Sequence, residues 1–229
     1  MKLAHALLHL FFPHCCAGCG SDVLQQDQSL CLSCICQLPL TNFHLYANNP
    51  VKDLFRGRLP LAHATSYCYF TKDSLVQQLI HQFKYNNRQE IGLYFGRCMG
   101  EALLQSIGFT MPDALIPVPL FGARERKRGY NQAHILCKGM AEVMDLPVWT
   151  NIITRHTHTD TQTRKNRVER WLNTEGRFVV HDPAAIRGKH VLLVDDVVTT
   201  GATLEACGQA LLATGDVRLS MAALAFTTR

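Results

Sequence analysis

Apolar and polar positions divide the chain into two kinds of text. From Tyr67 onward, short apolar runs alternate with longer stretches whose apolar residues recur every three or four positions. Residues 67–70 read as a short strand. Asp73 or Ser74 would cap a helix carrying Leu75, Val76, Leu79, Ile80 and Phe83 on one face, and a second helix is predicted over 91–105. The run 113–118 (DALIPV) is a buried strand, followed by a basic loop and a helix over 130–144, with another strand over 148–153. Residues 155–170 are polar and basic and show no hydrophobic period. Strands over 178–180 and 190–194, a helix over 203–213 and a last strand over 217–226 complete the pattern. Strands alternating with helices predict an α/β fold, a parallel sheet covered on both faces.

The first 40 residues are different. An amphipathic helix is expected from about Leu3 to Phe12, then a short Cys-rich, turn-rich stretch too small to hold a core without a metal. Residues 41–65, with Asn48-Asn49-Pro50 and Gly57, read as a connector. The expected organisation is therefore 1–40, 41–65 and 66–229.

Composition narrows the classes without choosing one. With 47% apolar and 18% charged residues among 229, the chain can fill a core and is not wholly disordered. A formal charge of +5 permits phosphate or nucleic-acid partners. The N-terminal apolar stretch is broken by two histidines and lacks a small-residue cleavage site, which argues against a signal peptide. No stretch approaches the roughly 18 apolar residues of a membrane span. Six of the ten cysteines fall between residues 15 and 36, a layout that suits a metal cluster plus free thiols in a reducing, cytoplasmic setting.

Within that cluster, Cys16-x2-Cys19 and Cys31-x2-Cys34 form a four-thiolate zinc pattern, since each tight turn can aim two sulfurs at one tetrahedral ion. Cys15, Cys36 and His14 are spare candidates for ligands. A closed site of this kind would be structural. A redox Cys-x-x-Cys is the rival reading, disfavoured by two such pairs lying close together.

The sharpest chemistry lies in VLLVDDVVTTGAT, residues 191–203. Asp195 and Asp196 stand at the carboxyl end of a buried strand, where open α/β sheets place ligands. Thr199, Thr200, Gly201, Ala202 and Thr203 then form a small-residue turn into a helix, which offers amides and hydroxyls to an anion. The Gly-Lys-Ser/Thr ending of a Walker loop is missing. The plain alternative is a strand ending in an acidic helix cap. The string resembles the phosphoribosyl-pyrophosphate (PRPP) signature of type I phosphoribosyltransferases.

Two basic segments could serve a pyrophosphate. One holds Arg124, Arg126, Lys127, Arg128, Gly129, Tyr130, Asn131 and Gln132; the other runs from Arg155 through Thr159, Gln162, Arg164, Lys165, Arg167, Arg170 and Asn173. Either could instead be a solvated surface segment or engage a nucleic-acid backbone. The few aromatic residues near them suggest no stacking platform in the sequence.

Taken together, the chain resembles the ComF family, the competence protein F group that includes GntX-like DNA-utilisation proteins. The resemblance rests on Phe12-Pro13 before the cysteine knuckle, Lys84-Tyr85 after a helix, the strand IPVP, the run RGYNQ, the spacing R-x3-T-x2-Q-x7-R-x2-N from Arg155 to Asn173, and VLLVDDVVTTGAT. It implies a type I phosphoribosyltransferase-like domain with PRPP and Mg²⁺ at its site and Zn²⁺ in the knuckle. Asp195 and Asp196 would meet the ribose or Mg²⁺, and residues 199–203 would hold the 5-phosphate. Arg128, Asn131 and Gln132 would lie on the pyrophosphate side; Arg155, Thr159, Gln162, Arg170 and Asn173 would form a loop over the site. It further implies a role in DNA uptake or use, with single-stranded DNA and DNA-processing proteins as partners. No residue names an acceptor, so a nucleotide-metabolism transferase and a PRPP-responsive regulator without turnover stand as alternatives.

Overall fold

The computed structural model describes residues 15–22, 24, 28–156 and 177–228, without the side chains of His156 and Arg177. In chain order the elements are α1 (Leu32–Cys36), α2 (Pro50–Leu54), β1 (Leu61–Phe70), α3 (Leu75–Tyr85), α4 (Gln89–Leu104), β2 (Ala114–Pro117), α5 (Gly122–Arg128), α6 (Gln132–Met144), β3 (Ile153–His156), β4 (Arg177–Val180), α7 (Pro183–Ile186), β5 (Lys189–Val198), α8 (Ala202–Leu212) and β6 (Val217–Thr227). A wholly parallel sheet has the order β1-β6-β5-β2. Strands β3 and β4 form a separate antiparallel pair.

Strand alternation sends successive residues of β5 to opposite faces. Leu192 and Val194 join the cluster built by α3, α4 and α6, while Val191 and Leu193 join the one built by α2, α7 and α8. All four are at most 1% exposed, as expected for a parallel strand buried on both faces. Residues 39–41 run antiparallel to the β1 edge, with Tyr69 N–H donating to Pro39 O at 2.8 Å and Thr41 N–H to Tyr67 O at 2.9 Å. That pairing covers a strand edge that would otherwise be open.

Several elements depart from the sequence expectation. β1 begins at Leu61, because its polar first half pairs with β6 from Leu61↔Leu219 onward. β5 continues through the two aspartates to Val198, since β6 keeps pairing with it as far as Val198↔Phe226. The expected basic loop is helix α5. The expected strand over 148–153 is a single bridge, Leu115↔Val148, and the chain extends again only at Ile153. The N-terminal helix expected near residues 3–12 lies outside the described residues.

The cysteine-rich segment packs on α3. Gln78 Nε2 donates to Gly18 O at 3.0 Å and Gln82 Nε2 to Ala17 O at 2.7 Å. Cys16, Cys31 and Cys34 belong to the same buried cluster as Val76, Leu79 and Phe83. A Cβ on Gly18 would stand 2.7 Å from Cys34 Sγ and 2.9 Å from a Leu75 methyl, so the turn docks only without one. Among the described residues no helix is long and apolar enough to cross a membrane.

Candidate functional site: the carboxyl end of strand β5

Strand β2 stops pairing at Pro117↔Val194, and the next strand bond is Val118 N–H to Val194 O at 2.9 Å. Past that point β5 runs on with β6 alone, and Asp195 and Asp196 stand beside the gap. Alternation sends them apart. Asp196 points to the α3 face, where its Oδ2 lies 2.6 Å from Lys84 Nζ in a pair whose side chains are 15% and 19% exposed. Asp195 points to the α8 face, where its charge acts on Cys207 and on Arg155 of β3. Its Oδ1 accepts from Asp196 N–H at 2.8 Å.

Burial, reinforced by the neighbouring Asp196 charge, pushes the Asp195 carboxyl up to about 8, against the pull of the Asp196 amide, Lys84 and Arg155. Two adjacent acids thus differ: one is ion-paired, the other is held protonated near neutrality. Burial also raises the Cys207 thiol, so it is not a thiolate nucleophile.

After β5 the chain turns into α8, and a small open hollow lies between Asp195 and the run 197–204. Asn49, Ser74, Asn131 and Asp182 cap the first turns of α2, α3, α6 and α7 with their side chains. Gly201 at the head of the eleven-residue α8 has no side chain to do so. Its φ of 78° is left-handed, and a Cβ there would lie 2.9 Å from the buried Phe55 ring. Apart from a long 3.4 Å bond from Ala202 N–H to Thr200 Oγ1, the opening amides of α8 therefore lack a side-chain cap and lie at the hollow beside the hydroxyls of Thr199, Thr200 and Thr203.

Helix α5 crosses the rim of the site. At its N-terminal end the Arg155 guanidinium lies 3.7 Å from the Phe121 ring centre and 5.1 Å from that of Phe178. At its other end Arg128 lies 5.3 Å over the Tyr85 ring and donates to Gln132 Oε1 at 2.8 Å. Asn131 is engaged structurally: it accepts from Ala133 N–H at 3.0 Å and donates to Val118 O at 2.9 Å. Gln132 is 2% exposed and orients Arg128. The fold thus brings Asp195, Asp196, residues 199–203, Arg128 and Arg155 to one end of the sheet, with Asn131 and Gln132 beneath Arg128. Thr159, Gln162, Arg170 and Asn173 lie outside the described residues. Lys84 was visible only as part of a dipeptide; nothing in its own neighbourhood assigned it to the acid pair.

The four sulfurs of Cys16, Cys19, Cys31 and Cys34 all lie within 4.8 Å of one another, with Cys19 and Cys31 3.6 Å apart. Four thiolates on one zinc at about 2.3 Å stand roughly 3.8 Å apart, so the set fits that ion. Burial alone would raise Cys16, yet the amides of Cys19, Cys31 and Gly18 bring it down to about 6, while burial and its thiol neighbours push Cys34 up to about 12. Cys15 and Cys36 fall outside this set.

Residues 126–227 match the phosphoribosyl transferase domain family. The DNA utilization protein YhgH of Escherichia coli O157:H7 is 31% identical over 203 residues, which cover 87% of this chain and 85% of that protein. Competence protein F of Haemophilus influenzae is 30% identical over 197 residues, covering 84% of this chain and 76% of that one. The chain belongs to the competence protein F family. As a fold, this family member is a phosphoribosyltransferase-like parallel sheet flanked by helices, carrying a small four-cysteine module at its N-terminal side. Glutamine PRPP amidotransferase from B. subtilis aligns with a TM-score of 0.43 and 15% identity, over 62% of this chain and 30% of its own. In this ComF chain the phosphoribosyltransferase match takes in α6, β5, α8 and β6, and so contains the acid pair and the glycine-headed helix but not Lys84.

Proposed function

We propose that this chain is a PRPP-binding protein of phosphoribosyltransferase type that supports the use or uptake of exogenous DNA in the cytoplasm. The observation that carries the reading is the pairing of a half-buried carboxyl, Asp195, with the glycine-headed first turn of α8 across one hollow. Amides at a helix start suit a monophosphate, and carboxyls beside them suit sugar hydroxyls. The DNA side of the reading comes from the names of the relatives in E. coli and H. influenzae.

In this reading residues 199–203 hold the 5-phosphate of PRPP, and Asp195 and Asp196 bond the ribose hydroxyls. Asp195, protonated before the ligand arrives, enters as a hydrogen-bond donor; Asp196 enters as a carboxylate already balanced by Lys84. Mg²⁺ would accompany the pyrophosphate and neutralise its charge as it leaves. Arg128, oriented by Gln132, lies on the pyrophosphate side with Asn131 and Gln132 of the same run, and Arg155 adds a second cation near Asp195. Displacement at the anomeric carbon passes through an oxocarbenium-like state, for which positioning and two nearby acids suffice without a covalent nucleophile. Zn²⁺ held by Cys16, Cys19, Cys31 and Cys34 serves the fold. DNA-processing proteins are the expected partners.

Calorimetric titration of PRPP with Mg²⁺ into the wild type and into Asp195→Asn/Asp196→Asn tests this. Binding is expected in the wild type and is lost in the variant, whose circular dichroism stays native. No binding by the folded wild type would overturn the reading.

A further inference from the structure

Helix α5 bears Arg124, Arg126, Lys127 and Arg128 among seven residues, and none of the seven is buried. Residues 122–127 are all exposed. A helix without a buried face gains little from the core. It is tethered instead at its two ends, by Phe121 against Arg155 and by Arg128 against Tyr85. Tyr85 ends α3 with 57% of its surface exposed, and its ring lies 4.8 Å from that of His81, one turn earlier. Arg128 Nη2 also reaches the Tyr85 hydroxyl at 3.5 Å. The residue before Tyr85 is Lys84, which holds Asp196. An exposed ring, flanked by an imidazole and a guanidinium, thus sits at the rim of the acid pair and at the end of a cationic helix.

A protein-docking face would surround that ring with apolar groups, but here its flanks are cationic or titratable. A phosphate-only surface would need no ring. Both features together are what an unpaired strand uses: charges track the backbone while an aromatic ring takes a base face. Of the nearby acids, Asp196 is paired with Lys84 and Glu90 with Arg88; Glu125 stands on α5 itself.

We propose that Tyr85, with His81 and Arg128, stacks a base of single-stranded nucleic acid whose phosphates run along Arg124, Arg126 and Lys127. This rests on the reading above for what the strand is brought to, namely the acid pair, but strand binding is measured separately from PRPP binding.

The test is fluorescence anisotropy of a labelled oligodeoxythymidylate with the zinc-loaded full chain, across a salt series. Tyr85→Ala is expected to weaken binding about ten-fold, the loss of one stacked base, with the salt slope unchanged. Tyr85→Phe keeps the affinity. Arg126→Ala with Lys127→Ala lowers the slope of log affinity against log salt by about 1.4, two phosphate contacts on a single strand. A duplex of the same length binds more weakly. Equal affinity of Tyr85→Ala and wild type, equal affinity for the duplex, or full competition by free thymidine monophosphate each overturns the strand site. So does absence of oligonucleotide binding in a chain that still titrates with PRPP, an outcome that leaves the PRPP reading standing.

Discussion

Lys84 Nζ stands 2.6 Å from Asp196 Oδ2, although 112 positions of sequence separate the two residues. Helix α3 delivers the ammonium through its last turn, where Phe83 is wholly buried and the side chain of Lys84 must leave toward the sheet edge. The pair is only partly wet, so each charge depends on the other.

Removing one partner leaves the other charge poorly compensated. Lys84→Met is expected to lower the unfolding free energy by about 2 kcal/mol, and Asp196→Asn by a similar amount. The double variant should lose less than the sum, with a coupling of about 1 kcal/mol. Urea denaturation of all four proteins measures it. Additive losses would show that the contact contributes nothing.

Asp195 gives a pH signature. Its carboxyl stands at about 8 in the folded chain against an ordinary 3.8. Between those values the native state holds a proton that the unfolded chain has released. Its contribution is therefore fully present below about 4 and is lost as the pH rises through about 8. Asp195→Asn, without ligand or Mg²⁺, is expected to flatten the fall in stability between pH 5 and pH 8 relative to wild type. Urea midpoints at several pH values decide the matter; identical slopes would mean the acid is ionised as usual.

Gly201→Ala combines two penalties, a left-handed φ of 78° and a Cβ 2.9 Å from the Phe55 ring. A loss of about 1–3 kcal/mol is expected, and calorimetry should show weaker PRPP binding as the first turn of α8 shifts. Ala202→Gly is the contrasting variant, with a loss below about 1 kcal/mol. A native Tm for Gly201→Ala would contradict the strain.

The knuckle is expected to hold about one zinc per chain by elemental analysis. Cys19→Ser should release the metal and lower the Tm. Gln82→Ala should keep the zinc but cost about 1 kcal/mol, because it removes the 2.7 Å bond to Ala17 O and a long 3.4 Å bond from Arg88 Nη1 but no thiol. A metal-free protein with unchanged Tm would rule out a structural ion.

What could be read from the sequence was what is local in it. VLLV forms a strand because four apolar residues in a row suit a sheet buried on both faces, and the paired Cys-x-x-Cys turns bring their sulfurs together by spacing alone. Of the two caps the sequence offered for α3, Asp73 and Ser74, it is Ser74 that accepts from Gln77 N–H. Long-range meetings were not legible. Lys84 finds Asp196 only after β1, β6 and β5 have assembled, and Tyr85 meets Arg128 across 43 positions, so an aromatic platform escaped a reading that sought rings beside the basic run. Helix α5 passed for a loop because, with no buried residue, it has no apolar period to detect. β1 looked short because its opening LAHATS lacks the apolar run of a buried strand, yet it pairs with β6 all the same.

The two aspartates are neighbours in the chain but point to opposite sides of the sheet: Asp196 is ion-paired with Lys84, while Asp195 faces α8 and feels Lys84 and, less strongly, Arg155. A strand that slipped by one residue would exchange their addresses. Inserting or deleting a single residue between His190 and Val194 would therefore leave the DDVVTTGAT text intact while turning each acid to the opposite face of the sheet and breaking the Lys84–Asp196 pair. The site depends on the parity of β5 as much as on the letters in it.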